Sequence, residues 1–267
     1  YEIPLRLVGS EMCIRDSTNR MPLWIKPARK VDVLEIMDFM RNHLEGTELD
    51  MRKDPGAGPY ECPYRWRPME FEVDGVSYVN ERATATQQTG FWFVAQARPW
   101  NPADMGILWF GVDDAATSCL TPIYCSATEV PECFREGNGT MLKYSPTSAF
   151  WLFNRVTNFA YLRYDLIAAD IRKVVDEWEN TRLEEVKQID AATEGDSPKK
   201  RQKRLTRYSV DMAQQLFDRW TELDRYLLVK YIDGNLKSET EPGKFLDNGN
   251  GRDIPDKIQF PGYNLSL

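Results

Sequence analysis

TGFWFVAQARPW, from Thr89 to Trp100, and GILWFGVDD, from Gly106 to Asp114, decide the fold. Both are near-continuous apolar runs, the pattern of strands covered on both faces. Outward from them the period of two continues. MEFEVDG (Met69–Gly75) and VSYVNER (Val76–Arg82) alternate and meet at Asp74-Gly75, a two-residue hairpin signal. LTPIYCSATEVP, starting at Leu120, reads as a shorter strand and a turn. The centre of the chain is therefore expected to be a sheet, with its middle strands enclosed.

Helical periodicity flanks this centre. VDVLEIMDFMRNHLEG (Val31–Gly46) places Val33, Ile36, Met37, Met40 and Leu44 on one face, with Asp32 as cap and Gly46 as stop. MPLWIKPARK before it is an extended entry, because Pro22 and Pro27 both discourage helix. DPGAGPYECPYRWRP (Asp54–Pro68) is an ordered loop, since Tyr60, Tyr64 and Trp66 are too apolar to stay in water. From Ser148 a spacing of threes and fours runs through Phe150, Trp151, Val156, Phe159, Leu162, Leu166, Ile167, Ile171, Val174, Val175 and Trp178. EGDSPKKRQKR (Glu194–Arg204) breaks it as a polar loop, and a second helix is expected from Tyr208 to Ile232. The two long elements should pair antiparallel on the sheet. The fold class is α+β, a central mainly antiparallel sheet plus long C-terminal helices.

The 267 residues carry 42 % hydrophobic and 12 % aromatic side chains, enough for a sizeable core. A net charge of −7 argues against general nucleic-acid binding, and no run of eighteen apolar residues exists to span a membrane. Tyr1–Ser17 needs separate treatment. It is too polar for a secretory signal, and Leu7–Asp16, LVGSEMCIRD, resembles ten consecutive translated codons of a transposase-type sequencing adapter. Leu265-Ser266-Leu267 resembles the start of the same adapter's reverse complement. Residues 1–17 are accordingly expected to be artefact, 18–264 the biological segment and 265–267 an adapter remnant. Without Glu2, Arg6, Glu11, Arg15 and Asp16 the net charge is −6. Any signal region would lie upstream, which leaves the compartment open.

Setting Cys13 aside leaves Cys62, Cys119, Cys125 and Cys133, with no CxxC pair, so neither a zinc site nor any other metal or cofactor is expected. His43 is the single histidine; at the last turn of a helix a cation suits the dipole, and a structural role is expected. Neither GxSxG nor a P-loop occurs, and Asn248-Gly249-Asn250-Gly251 is a turn. Asp113 and Asp114 close a strand. Adjacent strand carboxylates point to opposite faces and cannot pair as acid and base, but one could orient a substrate amine. Arg98 ends the other strand and could fork onto a carboxylate; a solvent-exposed strand end is the alternative. Asp113 and Arg98 are thus candidate substrate-lining residues. KKRQKRLTR (Lys199–Arg207) is expected to be a solvated face. Asn138-Gly139-Thr140 matches the glycosylation acceptor pattern, or is a glycine turn.

RMPLWIKP, GPYECPYRWRP at Gly58–Pro68, ERATATQQTGFWFVAQARPW, GILWFGVDDA and TPIYCSATEVPECF together resemble the dipeptidase family of N-terminal-nucleophile (Ntn) cysteine hydrolases. SAFWLFNRVTNFAYLRYD and RWTELDRYLLVKYIDGN continue the resemblance, which spans nearly all of residues 18–263. It implies a four-layered αββα fold, of which this chain would be the C-terminal half, and cleavage of dipeptides by a processed N-terminal cysteine. That cysteine can use its own α-amine as base, because an unperturbed α-amine titrates near pH ~8. None of the cysteines here lies at such a terminus, so the nucleophile is expected upstream and the chain alone inactive. Two alternatives stay open: a related Ntn amidohydrolase of acyl amides, and a non-catalytic scaffold or binding protein. A half-sandwich would bare a sheet face, so self-association, including a homo-oligomer, is also expected.

Overall fold

Trp92 and Val94 point one way from their strand and Phe91 and Phe93 the other, and this alternation organises the molecule. The computed structural model describes residues 3–4, 24–65, 70–79, 83–234 and 236–247. Most of the adapter-like stretch with Cys13, together with Trp66, Asn248–Gly251 and Leu265–Leu267, lies outside them. In chain order the strands are β1 (Ile3–Pro4), β2 (Trp24–Ile25), β3 (Glu70–Val73), β4 (Val76–Val79), β5 (Phe91–Gln96), β6 (Ile107–Val112), β7 (Thr121–Tyr124), β8 (Glu239–Glu241) and β9 (Lys244–Phe245). The α-helices are α1 (Val33–Met40), α2 (Ala149–Ala160), α3 (Tyr164–Thr193) and α4 (Pro198–Tyr231).

The central sheet has order β5-β6-β7, antiparallel throughout, with Phe91 opposite Val112 and Ile107 opposite both Gln96 and Tyr124. The short pair β1-β2, the hairpin β3-β4 and the pair β8-β9 complete the strands among the described residues. Asp74 and Gly75 both adopt positive φ (52° and 75°), the geometry that a two-residue hairpin turn demands. The structure has helices and antiparallel sheets, an α+β fold.

One face of the sheet, carrying Trp92, Val94, Ile107, Trp109 and Tyr124, packs on Met37 of α1, Val186 of α3 and Leu205 of α4. A second core joins α2, α3 and α4 around Phe153, Ile171, Val175, Leu216 and Trp220, and takes in Val112. Phe153 and Trp220 stack 4.5 Å apart and 6° from parallel, pinning α2 to α4.

Enclosure of the middle strands on both faces is not what the structure shows. Phe91 is 60 % and Phe93 49 % exposed. All three sheet-packing helices lie on the Trp92 side, and on the other side Phe134 and α2 reach only the Phe110–Val112 corner. The apolar runs that read as doubly buried are therefore one covered face and one bare face among the described residues.

Three helix limits also differ from the sequence pattern. α1 ends at Met40, short of His43, because Asn42 leaves the helix. Its carbonyl accepts from Thr84 and Ala85 N–H, and its side chain accepts from Leu44 N–H at 2.9 Å. The run from Ser148 is two helices, interrupted at 161–163, where Arg163 sits at φ −149° and pairs with Asp165. α4 begins ten residues before Tyr208, with Pro198 at its first position. Most of the basic run is therefore helical and exposed. Arg201 pairs with Asp104, and Lys200 and Arg204 pair with Asp196.

Candidate functional site

The site begins with a glycine. Gly111 lies in β6, and a Cβ there would meet the Cys119 carbonyl oxygen at 2.5 Å, so only glycine lets residues 113–120 fold back over the strand. Asp113 turns the chain at φ 69°, an uncommon conformation for a residue that is 1 % exposed. Its N–H donates to the Gly90 carbonyl at 3.1 Å, closing the end of the sheet. Thr157 of α2 donates its hydroxyl to Asp113 Oδ2 and lies 2.7 Å from the Thr117 hydroxyl.

Asp114 follows as the cap of a short 3-10 turn, its Oδ1 accepting from Ala116 N–H at 3.0 Å. The turn is held from below by a polar network. Ser118 donates to the Asp114 carbonyl at 2.6 Å, and Trp92 Nε1 donates to Ser118 at 2.8 Å. Arg41, at the end of α1, donates to the Ala115 and Ser118 carbonyls, lies over the Trp92 ring at 5.1 Å, and pairs with Glu179 of α3 at 2.5 Å. Both charges are buried, and the carbonyls they serve make the pair a clamp on the turn.

Above the turn sits an aromatic cluster. Tyr64, from the Asp54–Pro68 segment, packs edge-on against His43 at 5.1 Å and against Tyr164 at 5.6 Å, and tilts onto Tyr161 at 4.8 Å. The backbone of that segment is fixed by Arg65, which donates to the Met51 carbonyl at 2.7 Å and to the Cys62 carbonyl at 3.1 Å. His43 is 1 % exposed, not at a helix end, and its Nδ1 lies 3.3 Å from Glu45 Oε1. Tyr64 and His43 both act electrostatically on Asp114. His43 Nε2, Tyr64 Oη and Asp114 Oδ2 are buried with no hydrogen-bond partner among the described residues.

Burial dominates the electrostatics. It pushes the Asp113 carboxyl up to about 7, with the Asp114 charge adding to the rise and the Thr157 bond opposing it. Burial likewise raises Asp114, against the pull of His43 and Tyr64. Neither carboxylate has an ion-pair partner among the described residues. Two adjacent buried acids whose cations, Arg41 and His43, act on Asp114 without contacting it are costly to bury.

Arg98 stands elsewhere. It is buried, donates through Nε to the Met105 carbonyl at 2.9 Å, lies 5.4 Å over the Tyr124 ring and pairs with Asp190 of α3. The strand register puts it at the Gln96–Ile107 end of the sheet and Asp113 at the Phe91–Val112 end, on the order of 20 Å away at ~3.4 Å per residue. The structure does not bring the two candidate residues together. It also shows Arg98 as an internal tie between sheet and helix, neither free nor solvent-exposed.

All four described cysteines are free thiols. Burial raises Cys62, Cys119 and Cys133 above the ordinary thiol value, the opposite of an activated nucleophile. No group of three or more His, Cys, Asp or Glu among the described residues is arranged for a metal, and no described helix is long and apolar enough to cross a membrane. Asn138 spends its amide on the Glu132 and Thr147 carbonyls at 2.9 and 3.1 Å, so the glycosylation pattern is occupied by a loop-closing side chain.

Arg41, Thr157 and Glu179 are not among the site residues expected from the sequence, which marks Tyr64 only as a loop-ordering aromatic rather than as a site residue. Glu179 had a readable signal, a charge within the apolar stripe of Val175, Trp178 and Val186. Arg41 and Thr157 had none, because their partners are 138 and 44 residues away.

Comparison with known proteins bears on this geometry in two ways. The family model of peptidase family C69 matches residues 8–177, which takes in β5, β6, the Asp113–Asp114 turn, α2 and half of α3. No curated protein matches the chain.

Proposed function

The chain belongs to peptidase family C69, a cysteine-type dipeptidase family, and from that membership we propose that it is the C-terminal part of a dipeptidase whose nucleophile lies upstream of residue 18. The observation that carries this reading is the family match across the Asp113–Asp114 turn, where two buried carboxylates without an ion-pair contact among the described residues meet unsatisfied polar atoms. In this reading the nucleophilic cysteine is a processed N-terminal residue. Its thiol gives its proton to its own α-amine, directly or through water, and attacks the peptide carbonyl; the amine returns the proton to the departing amino group. No histidine is needed, and His43 is left to its place beside Tyr64.

The chain supplies the covered sheet, the clamp of Arg41 and Glu179, and Asp113 as a substrate-lining group. Arg98 is given no part in substrate binding here, because its guanidinium is already committed to Asp190 and Met105. Residues 18–264 alone are inactive, and residues 1–17 are translated adapter in this reading. The family match enters that stretch at residue 8, so recovery of the genomic codons upstream of Thr18 tests the adapter reading directly. The functional test assays the intact gene product on Ala-Ala and on an acyl amide of similar size. Preferential release of free alanine supports the dipeptidase reading. Preference for the acyl amide favours the amidohydrolase alternative, and an upstream sequence without a processed cysteine favours the scaffold.

A further inference from the structure

We propose that Asp114 Oδ2, His43 Nε2 and Tyr64 Oη form a subsite for a primary ammonium group, the free α-ammonium of a small peptide or amino-acid derivative. The proposal deepens the dipeptidase reading, and it rests on the hydrogen-bond arithmetic of the three atoms.

All three belong to deeply buried residues, Asp114 at 0 %, His43 at 1 % and Tyr64 at 5 % exposure, and all three are unpartnered among the described residues. Their chemistry is one-sided. Asp114 spends Oδ1 on the Ala116 N–H, which leaves Oδ2 as a carboxylate acceptor. His43 faces Glu45 through Nδ1, which fixes one ring proton there and leaves Nε2 to present a lone pair whenever the ring is neutral. Glu45 is the natural receiver of that proton: burial works against its charge, but the bonds from His43 outweigh it and hold the carboxyl below the usual range. Tyr64 Oη is close enough for a weak hydrogen-bond interaction with Asp114 and with Tyr164, but it meets neither in full bonding geometry. An occupant must therefore donate to two pure acceptors and to a hydroxyl that can also accept. A primary ammonium has three N–H donors and brings a cation into contact with Asp114, which Arg41 reaches only at longer range; a water has two donors and brings none.

The surroundings suit a cation. Tyr161 and Tyr164, packed against Tyr64, are tyrosine faces of the kind that tolerate an ammonium group. Both are half-buried, as is Cys62, whose thiol lies within electrostatic reach of Asp114, so the cluster meets solvent on that side.

The test titrates the full chain with alaninamide and with N-acetyl-alaninamide, which differ in the ammonium group, following binding by calorimetry and Cys62 alkylation by peptide mass mapping. Alaninamide is expected to bind and to slow Cys62 alkylation, and the acetylated probe to bind at least ~30-fold more weakly, the ordinary cost of losing charged hydrogen bonds at a buried site. Asp114→Asn keeps the cap oxygen and should weaken alaninamide by a similar factor; Tyr64→Phe keeps the ring and should weaken it roughly 5- to 10-fold. Equal binding of the two probes, or no binding of either, overturns the subsite whether or not the variants fold. Failure of the two readings is distinguishable. Alaninamide binding beside an intact enzyme that cleaves only acyl amides leaves the subsite and removes the dipeptidase. Dipeptide cleavage with no alaninamide selectivity does the reverse.

Discussion

Replacing Asp113 by asparagine should stabilise the protein above neutral pH and leave it nearly unchanged in acid. The aspartate is 1 % exposed, and its carboxyl is raised from 3.8 to about 7, chiefly by burial. Below pH 3.8 both folded and unfolded chains are protonated at this position, and burial carries no charge penalty. Between pH 3.8 and about 7 only the unfolded chain ionises, so Asp113 removes stability at ~1.4 kcal/mol per pH unit. Above pH 7 the full loss is present, an upper bound of about 4 kcal/mol from a shift of roughly three units. Asparagine carries no charge, still accepts from Thr157 through its amide oxygen, and tolerates φ 69° better than most residues. The weaker neutral bond to Thr157 returns about 1 kcal/mol, so a net gain of about 2–3 kcal/mol is expected at pH 8. Urea unfolding of both proteins at pH 4.5, 6 and 8 measures it, the difference cancelling other carboxylates. A variant that loses stability at pH 8, or whose difference from the parent does not change with pH, would rule out a buried Asp113 charge as the source of the cost.

Three further outcomes follow from the geometry. Gly111→Ala forces a Cβ against the Cys119 carbonyl oxygen and should cost about 2–3 kcal/mol, read as a lowered thermal midpoint; an unchanged midpoint would show that the 113–120 turn does not need the close approach. Glu179→Gln leaves the buried Arg41 charge with only the half-exposed Asp38, 3.4 Å away, as an ion partner and should destabilise by up to about 3 kcal/mol, whereas Arg41→Met combined with Glu179→Leu should recover much of that; a double variant no better than the single one counts against the pair as a charge-burial problem. Phe91→Ser with Phe93→Ser should reduce self-association in analytical ultracentrifugation and cost less than about 1 kcal/mol, since both rings are largely exposed; unchanged association would place the sticky surface elsewhere.

The strands and the hairpin were legible because their signals are local. Asp74-Gly75 states its own turn, and the apolar runs around Trp92 and Trp109 mark two neighbouring strands. Coverage was not legible, since Phe91 and Trp92 look alike in sequence and differ only in whether a helix lies over them. The early end of α1 was hidden for the same reason: Asn42 leaves the helix to receive Thr84 and Ala85, partners that periodicity cannot foresee. The site divides similarly. Asp113 and Asp114 stood out as a charged pair closing an apolar strand, but nothing local announced the left-handed turn at Asp113. Arg98 looked like its counterpart on the neighbouring strand, yet the antiparallel register carries it to the opposite end of the sheet. His43 read as a helix-end cation because its real neighbours, Tyr64 and Asp114, arrive from distant segments.

The proposed reading, a dipeptidase whose nucleophile lies upstream of this chain, is open to a simple comparison. The most direct measurement compares alanine release from Ala-Ala by the intact gene product and by purified residues 18–264 under identical conditions. The expected result is turnover by the intact protein, abolished by alkylating its N-terminal cysteine, and no release above the blank by residues 18–264. Steady hydrolysis by residues 18–264 would contradict it.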